Sequence, residues 1–470
     1  MKEEPVGESS TSRHEVDERL SGYPLLDALR SRRSRRFGLG MKIDDGPFAY
    51  ESRHAPLPLT EAEEAALAFA ACGITGHALA DLSYGPGQGG SMLAGSVGRT
   101  IASPDAINTV SVVVTNDEVT YLLKRPQDFT PEEIPTLIDL AERDALVDFY
   151  RRSRIKIGGG RAAPPVEPGY NFNINRWSLY APGSTYFLPI EGTTAIYINA
   201  MLETFDETMA IFVLDERANL RPAGIARFAR SKGGHLTDDP RAGRLSTVQA
   251  IETALMEGMA IEQGMALQNL GLMTQALGLG GWPSFAAHPF GWFQALGFRM
   301  GEMPASRYLG ANRLISIALR LLGRDRPVPY PLGLERDGTI LLKPYCPPYY
   351  PSMEAAVRAY VESKFGPRGV FRGGAALSGW RDPARATGEI PAPSEPAIEA
   401  TVAYSEYLYD RYGRFPVYGA PFRTVLGYQV THVDIDFYER FYRPEALTDT
   451  QRQHMARWHD GGESRMEEET

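Results

Sequence analysis

The sequence predicts an α+β protein in which long helices and separate strands build a large core. Residues 257–281 (EGMAIEQGMALQNLGLMTQALGLGG) form one helix that is apolar on nearly every face, which is typical of a core or a subunit interface. The β-branched runs Val110–Val114 and Thr120–Leu123 indicate strands, separated by the turn residues Asn116 and Asp117. With 470 residues, 43% of them hydrophobic, the chain is long enough for two or three units.

Capping signals and periodicity predict the other elements. Thr60 and Glu63 form a capping box at the start of a helix. The central helix is expected to begin near Ser246 and to end in the glycine-rich turn 278–281. Further predicted elements are helices at Pro131–Arg154, Ala195–Thr204, Met303–Leu322 and Glu395–Tyr412, and strands at Met209–Leu214 and Tyr428–Asp436.

Composition divides the chain. The two ends are charged and are expected to be disordered, and prolines and tyrosines become frequent beyond Arg324. We therefore predict disordered ends at 1–20 and 460–470, a core domain at 21–323 with an insert near 128–176, and a C-terminal extension or lid at 324–459.

Charge and composition exclude several classes of protein. The net charge is −9, with 49 basic and 58 acidic residues, which argues against a nucleic-acid binder. Two distant cysteines, Cys72 and Cys346, form neither a metal-ligand pattern nor a disulfide framework and fit a reducing compartment. The sequence shows no apolar signal core and no uninterrupted apolar run of about 18 residues. We expect a cytoplasmic protein that does not bind a membrane.

Four segments, which follow one another in the same order, resemble the FMN-dependent nitroreductase superfamily. Arg32–Phe37 (RRSRRF) is similar to the family's Arg-Arg-Ser-x-Arg element, and Leu57–Gly76 is similar to a segment of its SagB-like branch, the azoline dehydrogenases. Ser103–Thr109 resembles the Pro-Ser-Ala-x-Asn segment. The helix and turn at 257–281 resemble the Gly-x-x-x-Gln-Asn-Leu run that leads into Gly-Leu-Gly beside the flavin.

The resemblance implies a central antiparallel or mixed sheet flanked by helices in three layers. It also implies a homodimer with flavins at the interface, and hydride transfer between FMN and a small-molecule substrate. The flavin-binding residues it implies are Arg32, Arg33, Ser34 and Arg36 for the phosphate and ribityl chain, Asn108 for the ring edge, Gln268 in the central helix, the backbone of Gly280 and Gly281 at the ring, and Arg307 or Arg313 to complete the phosphate site.

A period-two pattern near the C-terminus suggests one further site. On a strand, His432, Asp434 and Asp436 would share one face. Neighbours on one face of a strand stand about 7 Å apart, so we predict no metal there and treat a metal enzyme as a remote alternative. His432 is instead a candidate proton donor at the flavin site, because histidine titrates near neutral pH.

Two other functions compete with the FMN oxidoreductase. Phe37 directly follows Arg36 without the family's usual intervening residue, and Asp105 stands where the family has serine. These departures favour a non-redox protein that keeps the fold but binds a partner or peptide. An enzyme that consumes its flavin as a substrate is the other alternative.

Overall fold

A computed structural model describes residues 20–79, 97–103, 107–166, 172–285, 289–372, 379–388 and 390–456. The helices are α1 Leu25–Ser31, α2 Glu61–Cys72, α3 Ile134–Glu142, α4 Leu146–Ser153, α5 Thr193–Thr204, α6 Val248–Leu277, α7 Pro289–Ala295, α8 Ala305–Tyr308, α9 Arg313–Leu321, α10 Met353–Phe365, α11 Pro383–Gly388, α12 Glu395–Tyr412 and α13 Ile435–Phe441. The strands are β1 Lys42–Ile43, β2 Tyr50–Glu51, β3 Ile74–His77, β4 Val97–Arg99, β5 Val110–Thr115, β6 Val119–Leu123, β7 Arg154–Gly159, β8 Thr185–Gly192, β9 Phe212–Asp215, β10 Arg221–Pro222, β11 Leu245–Thr247, β12 Gly280–Phe285, β13 Arg299–Pro304, β14 Pro327–Arg336, β15 Thr339–Leu342, β16 Phe422–Arg423 and β17 Leu426–Thr431. The predicted α+β class is confirmed.

The main sheet is antiparallel, in the order β12-β17-β8-β5-β6-β7, and β16 also pairs with β8. The late strand β17 lies inside this sheet, between β12 and β8. Residues 324–459 therefore supply an inner strand to the same sheet as residues 21–323. The composition of the chain changes at Arg324, but β14, which follows it, pairs with β13, which precedes it.

Both faces of the sheet are covered, as the alternation along β5 requires. Val112 and Val114 pack with α2, α4 and α6 in one fully buried cluster. Val113 points to the opposite face, where it joins Trp292 and Phe293 of α7 and Leu334 of β14. The site elements therefore stand on a sheet whose central strands have no free face.

A second core joins the middle of the chain to its later part. Helices α5, α10 and α12 pack with β9 around the buried Tyr197, Phe205, Tyr404 and Phe415. The first turns of α6 enter this core through Val248, so α6 runs from the second core to the main sheet. One 30-residue helix thus ties the two cores together.

The structure corrects three predicted elements. The helix expected at Pro131–Arg154 is two helices, broken where Asp144 adopts a left-handed φ of 54°. The helix expected at Met303–Leu322 is interrupted, since its first residues end β13. The strand expected at Tyr428–Asp436 ends at Thr431, because the Asp434 carboxylate accepts the Phe437 N–H at 3.0 Å and caps α13.

Other predictions hold. The Thr60–Glu63 capping box is confirmed: the Thr60 N–H donates to Glu63 Oε2 at 2.8 Å, and the Glu63 N–H donates to Thr60 Oγ1 at 3.2 Å. In the described part of the chain, no helix is long and apolar enough to cross a bilayer. The predicted disordered ends lie outside the described residues, apart from Leu20.

Candidate functional site

The segment that follows α1 contains a half-buried arginine, Arg32, then an exposed arginine and an exposed hydroxyl. Helix α1 ends because Arg32 adopts an extended conformation. The next two residues, Arg33 and Ser34, are exposed. Arg33 donates to the carbonyl oxygens of Arg30 and Arg32 at 3.0 and 2.9 Å. Among the described residues, neither Arg32 nor Arg33 forms an ion pair with a carboxylate, although acids outnumber bases in this chain. Such uncompensated guanidinium groups are suited to an anion.

The next two arginines turn inward. Arg35 is buried, donating to the Ala446 carbonyl at 2.8 Å and to Gln275 Oε1 at 2.9 Å, and its burial lowers its pKa. Arg36 donates to Asn175 Oδ1 and Ser178 Oγ, both at 2.9 Å. Its guanidinium also lies 3.9 Å from the centre of the Trp282 ring. Arg36 is thus engaged by the protein itself, and its role toward a phosphate stays a prediction.

Helix α6 approaches the arginine segment at a glycine. A Cβ on Gly271 would lie 3.2 Å from Arg32 Cδ and 3.4 Å from the Tyr428 hydroxyl oxygen. The missing side chain therefore lets Arg32 lie across the helix. Gln268, one turn earlier on α6, is exposed beside this crossing.

One face of α6 is open to solvent in the single chain. Ile261 is 53% exposed and Met265 is 37% exposed, and a Cβ on Gly264 would meet nothing within 4 Å. The sequence predicted that this helix is buried in a core or a subunit interface, and within one chain this stripe is not buried. Exposed apolar side chains of this kind are typical of an interaction surface.

Gly280 and Gly281 are strand residues rather than parts of a turn. They pair with Thr431 and Val430 of β17. A Cβ on Gly280 would lie 2.7 Å from the Arg35 carbonyl oxygen, and a Cβ on Gly281 would lie 2.6 Å from Tyr428 Cε1. The glycine-rich turn expected at 278–281 is therefore wrong beyond Gly278, which caps α6 with a left-handed φ of 81°.

Asn108 lies at the foot of β5. It is buried, has a left-handed φ of 57°, and its carbonyl accepts from Gln127 Nε2 at 3.4 Å. The adjacent Thr109 hydroxyl donates to the buried Glu191 carboxylate at 2.6 Å. Asp105, which departs from the family pattern, falls outside the described residues.

Arg307 lies in α8, and its guanidinium fills the space beside Gly413, where α12 ends. Its role at a phosphate site stays a prediction. The side chain of Arg313, the alternative residue, lies outside the description.

His432 is completely buried, and its role as a proton donor to a flavin stays a prediction. Its Nδ1 is 2.9 Å from His454 Nε2, and its Nε2 is 3.2 Å from the Pro58 carbonyl oxygen. Glu63 completes this buried group. No local pattern marks the group, because His454 is 22 residues from His432 and Glu63 is hundreds of residues from both, and sequence reasoning missed Glu63 and His454.

The two aspartates predicted beside His432 point elsewhere. Asp434 accepts from the Ser52 hydroxyl at 2.6 Å. Asp436 pairs with Arg53 at 2.9 Å and with His54 at 3.2 Å. The prediction that the three residues share one face of a strand is therefore wrong, because β17 ends at Thr431, before His432.

A small cavity of about 20 Å³ lies beside the first half of α6. Its lining includes the buried Glu252, whose carboxylate accepts from the Val417 and Tyr418 N–H groups at 2.8 and 2.6 Å and from the Tyr197 hydroxyl at 3.0 Å. Burial raises the pKa of Glu252. All these contacts are internal to the second core, which makes Glu252 a structural group.

No protein-family model matches the chain, and no curated protein matches it. Among solved structures, one match is a protein from Ralstonia eutropha JMP134 that is provisionally named a nitroreductase. The two chains are 12% identical over 63% of this chain and 80% of that one, with a TM-score of 0.27. At that TM-score the likeness carries no argument about fold or function.

Proposed function

We propose that the protein is an FMN-dependent oxidoreductase that transfers hydride between the flavin and a small organic substrate. The observation that carries the proposal is the segment Arg32-Arg33-Ser34, which offers two guanidinium groups without a carboxylate partner among the described residues and an exposed hydroxyl. A phosphate dianion is the ligand that such a set accommodates best. The order of the four resembling segments selects FMN among phosphate-bearing ligands, and the SagB-like segment favours a dehydrogenation in biosynthesis.

FMN would supply the hydride chemistry when bound. The chain would hold the phosphate with Arg32, Arg33 and Ser34. Arg32 already lies across Gly271, so the phosphate would sit at the C-terminal half of α6, near the exposed amide of Gln268. For Asn108, Gly280 and Gly281 to contact the flavin ring, the residues packed around them would have to move apart.

We further propose a homodimer that closes over α6. Large apolar side chains are exposed on three helices of the single chain: Leu25 (66%) and Leu26 (74%) on α1, Ile261 (53%) on α6, and Leu314 (79%) and Leu321 (84%) on α9. Exposure of this extent on several helices is typical of an interaction surface.

Light scattering of the purified protein is expected to give the mass of two chains. Ile261→Glu should shift the protein toward the monomer, because it would place a charge in the interface, while Glu257→Gln on the same exposed side of α6 should leave the dimer intact. A wild-type protein that is monomeric at all concentrations would contradict the dimer.

The double variant Arg32→Ala/Arg33→Ala is expected to weaken FMN binding about 100-fold. Charge-assisted hydrogen bonds contribute about 1.5–3 kcal/mol each, so two lost guanidinium contacts account for a change of this size. Titration of FMN, followed by quenching of its fluorescence, measures the effect.

Two controls separate phosphate binding from general damage. Arg30→Ala removes a neighbouring arginine that already pairs with Asp27, and it should leave the FMN affinity unchanged. Riboflavin lacks the phosphate, so its weaker binding should be the same in the wild type and in the double variant. Equal loss of riboflavin and FMN binding would argue against a phosphate role for this segment.

A non-redox binding protein is the second candidate. It is favoured by the close packing of Gly280 against the Arg35 carbonyl and by the internal hydrogen bonds of Arg36, which leave both residues occupied. Under this alternative the arginine segment would bind an anionic partner, and the FMN and riboflavin titrations would both show no binding.

A further inference from the structure

Three possible metal ligands meet in the interior, where β17 ends. They are His432 just after β17, Glu63 in the first turn of α2, and His454 in the C-terminal segment, all at most 2% exposed. One ligand atom from each lies within 4.8 Å of the other two. His432 Nδ1 is 2.9 Å from His454 Nε2, and His454 Nε2 is 3.6 Å from Glu63 Oε1.

The hydrogen bonds fix which nitrogen of His432 faces the cluster. The Pro58 carbonyl oxygen can only accept, so the His432 Nε2 that lies 3.2 Å from it carries a proton. In the neutral ring, Nδ1 then presents a lone pair to His454. The His454 Nε2–H must donate into that lone pair, with the Glu63 carboxylate on its other side. A single proton thus lies between His432 and His454, and Glu63 Oε1 stands 3.6 Å from His454 Nε2.

We propose that this cluster binds a divalent transition-metal ion, with zinc as the best match. Two imidazole nitrogens and one carboxylate oxygen, without sulfur, form a ligand set that zinc accepts. In a tetrahedral zinc site with bonds of about 2.0–2.1 Å, ligand atoms lie about 3.3 Å apart. The observed separations of 2.9 and 3.6 Å lie on either side of that value. His432 and Glu63 approach each other to 3.8 Å, between Nε2 and Oε2, so Glu63 would have to move closer to His432 Nδ1 to bind the same ion. Metal binding would displace the shared proton.

The surroundings have the features that orient metal ligands. A ligating histidine commonly donates its other ring N–H to a carbonyl, as His432 does to Pro58. The second oxygen of Glu63 accepts the Thr60 N–H and hydroxyl at 2.8 and 3.0 Å, which holds the carboxylate in place with Oε1 toward His454. The ion would join the start of α2, the end of β17 and the C-terminal segment.

Metal content and thermal stability of the full-length protein test the proposal. Protein stripped with a chelator and then given Zn²⁺ is expected to bind one ion per chain and to unfold at a higher temperature. His454→Gln and Glu63→Gln are expected to lower the zinc affinity by about 100-fold or more, since even loss of a ligand's supporting partner costs 10–100-fold. The matched control His54→Gln alters the separate cluster of His54, Asp434 and Asp436 and should bind zinc as the wild type does.

Cobalt substitution in the wild type keeps the test decisive if the variants fail to fold. Co²⁺ bound to nitrogen and oxygen ligands in a tetrahedral site gives visible ligand-field bands, which Zn²⁺ should displace. A wild-type protein that takes up neither Zn²⁺ nor Co²⁺ would overturn the proposal. So would zinc binding that survives His454→Gln and is lost in His54→Gln, because the ion would then occupy the other cluster. None of these measurements requires FMN.

Discussion

Replacing Glu252 by alanine is expected to lower the free energy of unfolding by at least about 3 kcal/mol. The carboxylate accepts from the Val417 N–H, the Tyr418 N–H and the Tyr197 hydroxyl. Alanine would leave the Val417 and Tyr418 N–H groups without an acceptor, and each buried, unsatisfied group costs about 1–3 kcal/mol. The Tyr197 hydroxyl keeps Tyr404 as a partner at 2.7 Å, so there only one hydrogen bond of about 1 kcal/mol is lost. The contact joins α6 to the chain beyond α12, so its loss should loosen the link between the two cores.

Urea unfolding followed by circular dichroism measures this effect. Glu257→Ala is the matched control, because Glu257 lies on an exposed part of the same helix and its replacement should change the stability by less than about 0.5 kcal/mol. If Glu252→Ala and Glu257→Ala have equal stability, the hydrogen bonds described for Glu252 are not formed.

Gly280→Ala is expected to destabilise the protein by about 3 kcal/mol, the upper end of the usual range for an overpacked core. The new methyl group would meet the Arg35 carbonyl oxygen at 2.7 Å and Val433 Cγ2 at 2.9 Å. Backbone atoms of two segments would have to separate to admit it. The effect should be present in protein without FMN, because it arises from packing of β12.

Gly159→Ala provides the comparison. A Cβ at Gly159, an exposed residue at the end of β7, meets nothing within 4 Å, so alanine should change the stability by less than about 0.5 kcal/mol. Thermal unfolding of both variants decides the point. A Gly280→Ala protein as stable as the wild type would show that β12 does not pack as described and would return Gly280 to the flavin-facing role that the sequence suggested.

Local patterns predicted what depends on local contacts. The capping box at Thr60 and Glu63 involves residues three apart, and its hydrogen bonds follow from backbone geometry alone. The glycine cap of α6 also depends on residues close in sequence, since the Gly278 N–H donates to the carbonyls of Gln275 and Thr274. The prediction that the strand continues through Asp434 was wrong, because the alternation of polar and apolar residues does not show that the Asp434 side chain caps α13.

Tertiary contacts decided the rest of the site. Arg32, Arg33, Arg35 and Arg36 are alike in sequence, yet Arg35 is buried because Gln275 and the Ala446 carbonyl, far along the chain, receive its N–H groups. The partners of His432 were equally beyond reach of a local pattern. The sequence therefore predicted where the cationic segment lies. The structure shows that Arg35 and Arg36 donate hydrogen bonds to other parts of the protein, whereas Arg32 and Arg33 form no ion pair among the described residues.

The absorption spectrum of the purified protein, with release and mass analysis of any bound chromophore, tests the central claim most directly. The account predicts flavin absorption and FMN at about one per chain, either as isolated or after FMN is added and the excess removed. A colourless protein that also fails to take up added FMN would contradict the oxidoreductase and leave the anion-binding protein as the explanation of Arg32 and Arg33.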